Sequence, residues 1–82
     1  MISGIVELDI HGLTKFQAKT YIDLTLKKLD RSVYKLRIIH GYHGGTELKS
    51  MIRGVYKNHP KVKRIEYSLN QGETDLILRE LF

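Results

Sequence analysis

The chain of 82 residues carries 14 Lys plus Arg against 9 Asp plus Glu, a net charge of +5, and no cysteine. That length makes one domain with a thin core, and the missing thiols exclude a disulfide scaffold, a cysteine-held zinc or iron–sulfur centre and thiol catalysis. No apolar run approaches the ~18 residues of a membrane span, and the first residues lack the basic-then-apolar pattern of a signal peptide, so a cytoplasmic protein is expected.

Residues 5–10 alternate, with Val6, Leu8 and Ile10 on one face and Glu7, Asp9 and then His11 on the other, which predicts a half-buried strand. His11-Gly12-Leu13 turns the chain, and Thr14 followed by Gln17 is a capping-box signature. A helix is predicted over 15–30, with Ala18, Tyr21, Ile22, Thr25, Leu26 and Leu29 on its apolar stripe and Lys19, Asp23 and Lys27 pointing away. Residues 34–40 alternate again as a second strand. A flexible loop, Gly41-Tyr42-His43-Gly44-Gly45, leads into a second helix over 46–58. Leu48, Met51, Ile52, Val55 and Tyr56 form its apolar stripe, and Lys49, Arg53 and Lys57 make one row on its flank. Pro60 stops it. Residues 62–69 and 74–81 read as two further strands around a turn at 70–73.

The order β-α-β-α-β-β implies right-handed crossovers and parallel pairing of the first strands. The expected fold is an α/β two-layer sandwich, one domain over 1–82, with both helices on one face of a four-stranded sheet. The open face would carry Glu7, Asp9, Lys35, Arg37, Arg64 and Glu66. Ile5, Ile39 and Ile77 would add apolar area there and support a homodimer or another protein contact.

Residues 49–64 hold six basic side chains (Lys49, Arg53, Lys57, Lys61, Lys63 and Arg64) and no acid. A one-signed stretch attracts polyanions, and it equally suits a solvated helix face. Ligands of parallel α/β units gather beyond the carboxyl ends of the strands, near helix N-termini. The loops at 11–14 and 40–46 lie there, and the turn at 70–73 joins them if the third strand is parallel to the first two. Asp9 and His11 project to the same side. An imidazole suits proton transfer near neutral pH, and a neighbouring carboxylate orients it or holds a divalent cation. Lys35, Arg37 or the helix row would supply positive charge beside a developing phosphorane.

Each feature also has a plainer reading. Asp-x-His is a common pattern, and a histidine ending a strand often just forms a turn. His40-x-x-His43 lacks a third metal ligand. Glycines at 41, 44 and 45 either cradle an anion or only turn the chain. Tyr42 either stacks on a base or packs over its own loop.

Taken together, three stretches resemble the Smr (small MutS-related) domain over residues 5–81: Leu8-Asp9-Ile10-His11-Gly12, Ile38-Ile39-His40-Gly41 with its glycine-rich run, and Gly72-x-Thr74 before a last apolar strand. The resemblance implies a fold like the C-terminal domain of bacterial translation initiation factor three, with a mixed sheet in which only the last strand is antiparallel. It also implies a nucleic-acid partner, DNA or RNA, and, as in several members, endonuclease activity. The family's Leu-Asp-x-His motif falls on Leu8, Asp9 and His11, and its His-Gly-x-Gly motif begins at His40 and Gly41. The second loop here is one residue longer than the commonest form and has Tyr42 where a basic residue is usual. The last motif, often rich in glycine, reads Asn70-Gln71-Gly72-Glu73-Thr74. These departures bear on substrate contacts more than on the fold.

The favoured reading is a stand-alone Smr-like domain that cleaves a phosphodiester bond. Asp9 orients a group, His11 is the acid/base, and His40 with the backbone amides of Gly41, Tyr42, His43, Gly44 and Gly45 holds the phosphate. Arg37, Lys49, Arg53 and Lys57 bind the strand, and a divalent cation (magnesium or manganese) is compatible with this set but not demanded by it. The alternative is a non-catalytic module that docks on RNA, structured DNA or the ribosome through Lys49, Arg53, Lys57, Lys63 and Arg64.

Overall fold

Strands form at each of the four expected segments: β1 (Ile5–Asp9), β2 (Lys35–Ile39), β3 (Arg64–Tyr67) and β4 (Glu73–Ile77). The structure, a computed structural model, describes residues 4–42, 46–67 and 69–80. Helix α1 (Lys15–Lys28) starts on the expected capping box: the Gln17 amide donates to the Thr14 hydroxyl at 3.1 Å and the Thr14 amide to the Gln17 side chain at 3.0 Å. Helix α2 (Thr46–Val55) gives way to a single 3-10 turn, Tyr56–Asn58, before Pro60. α1 ends two residues short of its expected span, where Leu29 already has an extended backbone, while the second helical segment fills 46–58 and stops where His59 becomes extended.

The sheet has the order β1-β2-β4-β3. β1 and β2 are parallel, and β4 is antiparallel to both β2 and β3. β3 therefore runs with β1 and β2, and β4 alone is reversed, as the resemblance implies. β4 takes an inner place because it is the strand that can be buried on both faces, with every residue from Thr74 to Ile77 out of solvent. Three carboxyl ends and the start of β4 thus share one rim.

Between sheet and helices lies the core, in which Leu8, Ile10, Leu36, Ile38 and Leu76 meet Ala18, Ile22 and Leu26 of α1 and Leu48, Ile52 and Tyr56 of the second helical segment. Two expectations for α1 are corrected. Tyr21 is about half exposed (48%), because the inward row runs 18, 22, 26 and position 21 sits about 100° around the helix from Ile22. Asp23 does not simply face water: it accepts the Tyr56 hydroxyl at 2.6 Å and the Lys19 ammonium at 2.7 Å. Burial alone would raise the Asp23 carboxyl, but these two bonds outweigh it and hold the group below its usual value. Burial and Asp23 together push the Tyr56 phenol far up, so it stays a donor. On the outer side of α1, Phe16 and Leu24 remain in solvent.

The open face of the sheet is a lattice of ion pairs. Asp75, nearly sealed from water, takes the Arg37 guanidinium at 3.0 Å and lies 3.7 Å from the Lys35 ammonium. Lys35 also reaches Glu66 at 3.4 Å, and Arg64 reaches Glu66 at 2.8 Å and Glu80 at 3.1 Å. Ile77, expected to add apolar surface here, is only 3% exposed. It is flanked across the sheet by Lys35 and Arg64, and long side chains of this kind cover apolar neighbours with their stems.

Replacing Tyr56 by Phe keeps the ring and removes one donor. The expected loss is about 1.5 kcal/mol of unfolding free energy in urea melts, and Asp23→Ala made on top of it should add far less than it does in the wild type.

Candidate nucleic-acid interface

Three loops meet at the rim. A Cβ built on Gly41 would lie 3.6 Å from the His11 Cβ, and one built on Gly72 would lie 3.5 Å from the Gly41 backbone. The Gly72 carbonyl accepts two amides, His40 N–H at 2.9 Å and Gly41 N–H at 3.0 Å. Gly41 has a left-handed backbone (φ +88°), which a side chain would strain as well as crowd. Gly12 is left-handed too (φ +82°) and faces open space, and among the described residues its N–H has no hydrogen-bond partner.

Asp9 and His11 form a pair at the end of β1. The Asp9 Oδ1 lies 2.5 Å from the His11 Nδ1 and 3.1 Å from the His11 backbone N–H, which donates to it. Both side chains are mostly in solvent, 53% and 70% exposed. The hydrogen bond from the His11 ring holds the Asp9 carboxyl below its usual value. An ionised Asp9 fixes Nδ1 as the protonated nitrogen, so the other ring nitrogen, Nε2, is left as an accessible base.

His40 has a different place. It is 1% exposed, on the helix side of the sheet beyond Ile38. Its Nε2 lies 2.9 Å from the Thr74 hydroxyl and its Nδ1 3.1 Å from the Gly41 carbonyl. The carbonyl can only accept, so Nδ1 carries the proton and Nε2 accepts from Thr74. Thr74 in turn accepts the Arg53 Nε–H at 3.3 Å. Burial lowers the pKa of His40, and the cations Arg53 and Lys49 add to that, against the Gly41 carbonyl. The two expected rim histidines thus divide: the His11 ring is offered to solvent and the His40 ring is committed to the scaffold.

The basic side chains divide as well. Lys49 and Arg53 lie close enough to His40 to depress its proton affinity, which places them by the rim. Lys57 falls in the 3-10 turn, one turn further away, and is exposed. Arg37 sits on the opposite face, held by Asp75 and within 4 Å of Glu7 and Glu73. Arg64 is on that face too, with Glu66 and Glu80. The ion pairs of that face join three cations (Lys35, Arg37 and Arg64) to five carboxylates, so these cations are already neutralised. Lys49, Lys57 and Lys63 have no ion-pair partner among the described residues. Tyr42 is 62% exposed. His43, Gly44 and Gly45 lie outside the described residues. No group of three or more His, Asp or Glu gathers at metal-binding distance among the described residues.

Thr74, Arg53 and Tyr67 form a connection that one-dimensional reading missed as a unit: the Arg53 guanidinium sits 4.2 Å from the centroid of the Tyr67 ring. The signal was pairing register, which sets Tyr67 opposite Thr74.

The family model for the Smr domain matches residues 8–74. Among solved structures, the crystal structure of the Smr domain of Thermus thermophilus MutS2 is similar, with a TM-score of 0.80 and 26% identity over 92% of this chain and 99% of that one. No curated protein matches the chain.

His40 makes stability depend on pH. As pH falls through 6.5, the unfolded chain takes up a proton that the buried ring refuses, so this contribution is complete above 6.5 and is lost on acidification. The loss reaches at most about 1.4 kcal/mol per pH unit. Urea melts at about pH 7.5 and about pH 5.5 should show a wild-type loss that His40→Gln does not share. Thr74→Val should cost ~1–3 kcal/mol at the higher pH by leaving Nε2 unpartnered.

Proposed function

The chain belongs to the Smr domain family, and from that footing we propose that it binds nucleic acid and cleaves a phosphodiester bond beside Asp9 and His11. The observation that carries this reading is the Asp9–His11 pair, solvent-facing and beside the Gly41 turn. A water attacks phosphorus, and His11 Nε2 takes its proton as the new P–O bond forms. The bond to the leaving oxygen breaks, and that oxygen takes a proton from the imidazolium or from solvent. Asp9 keeps the ring in the tautomer this needs and stabilises the imidazolium. No step is routed through a metal.

Other residues have supporting roles in this proposal. His40 is a positioning residue, since both its nitrogens are engaged in the scaffold. The Gly41 amide is engaged as well, with Gly72. The Gly12 N–H is therefore the described backbone donor best placed for a phosphate oxygen. Lys49 and Arg53 add positive charge at the rim, and Lys57 extends it along the second helical segment, whereas Lys63 stands at the far end of the sheet, its amide on the Ile77 carbonyl. Arg37, neutralised by Asp75, takes no part.

Supercoiled plasmid and structured RNA incubated with wild type, Asp9→Asn and His11→Ala test the chemistry. Each variant should lose roughly 10²–10⁴-fold in cleavage, and the double variant little more, because the pair acts as a unit. Equal cleavage by all preparations would reject the assignment. Binding without cleavage by wild type would favour the non-catalytic alternative.

Binding itself should weaken with salt. Lys49→Ala and Lys57→Ala should each flatten the log–log slope by about 0.7–0.9, and Arg64→Ala should leave it unchanged.

A further inference from the structure

We propose that the exposed surface of the Tyr67 ring is a stacking site for an unpaired nucleobase, so that the strand crossing the rim is single-stranded at that point. This rests on the nucleic-acid reading above and narrows its substrate class.

Tyr67 is the last residue of β3, and it is 64% exposed. The ring is nonetheless held in place. Arg53 lies over it at 4.2 Å from the centroid, its Nε bonds to the Thr74 hydroxyl at 3.3 Å, and that hydroxyl bonds to buried His40 at 2.9 Å. An aromatic group fixed from behind by a cation presents a flat apolar surface with little entropy left to lose on binding. No carboxylate neutralises Arg53 among the described residues, although carboxylates take up the cations of the opposite face. Ring and guanidinium together supply what a nucleotide needs, a stacking partner for the base and a positive charge for its phosphate. A base inside a duplex shows no free face, so the partner is unpaired.

Position along the rim adds to this. β3 is three strands from β1, roughly 14 Å at the usual strand spacing. The stacked base therefore belongs to a neighbour of the nucleotide held at Asp9 and His11.

The test is fluorescence anisotropy with labelled single-stranded DNA, single-stranded RNA and the matching duplexes, against wild type, Tyr67→Ala and Tyr67→Phe. Tyr67→Ala should weaken single-strand binding by roughly five- to a hundredfold and leave duplex binding within about twofold. Tyr67→Phe should bind like wild type, since stacking uses the ring and not the hydroxyl. Thermal melts check that each variant folds. Loss confined to the DNA strand or to the RNA strand supports the inference and identifies the sugar. If wild type binds nucleic acid and Tyr67→Ala weakens neither strand, or weakens single strand and duplex alike, the stacking site is wrong and the parent reading survives. If wild type binds no nucleic acid, the parent reading falls and takes this one with it.

Discussion

One buried hydrogen bond organises the rim. The His40 ring and the Thr74 hydroxyl meet at 2.9 Å, both almost wholly out of water. A buried imidazole without a partner costs more than the bond itself is worth, so the pair constrains everything attached to it. It ties the end of β2 to the start of β4 and therefore determines where the reversed strand enters the sheet. It seats Arg53, whose Nε–H donates to a lone pair of the same hydroxyl. Through the other ring nitrogen it steadies the Gly41 peptide, beside which His11 stands. No described buried side-chain nitrogen or oxygen is left without a partner, so the network is complete.

The contrast between the two motif histidines follows from position. His11 falls after the strand has ended, where Leu13 N–H closes a turn onto the Ile10 carbonyl and its ring swings out to Asp9. His40 still keeps the inward alternation of Leu36 and Ile38, and so it points into the core. Two residues of the same type, each at a strand end beside a glycine, acquire opposite duties from the parity of one residue.

That parity was legible in the sequence, and so were the elements, the capping box at Thr14 and the meeting of three loops. Alternation places Leu8 and Leu36 inward without any tertiary knowledge. The duty of His40 was not legible, because it depends on Thr74, a residue 34 positions away whose strand had to be inserted between two others first. The fate of Arg37 was hidden for the same reason. Its partner Asp75 lies in β4, and until β4 stands next to β2 the arginine looks free. Tyr67 looked like one more aromatic of a strand, since only the register against Thr74 brings Arg53 over it. Local pattern set the elements, and long-range pairing decided which charged groups were left unspent.

The sheet divides those charges unevenly. Carboxylates take up Lys35, Arg37 and Arg64 on the open side, while Lys49 and Arg53, without acidic partners among the described residues, lie by α2 and the rim. A small body with opposite potentials on its two sides has a dipole moment and feels a torque in the field of a charged polymer. The domain would turn as it approaches a phosphate chain, bringing the rim forward and the sheet away before any contact is made. For a molecule of this size, with a rim only a few residues wide, such self-alignment raises the share of collisions that arrive the right way round.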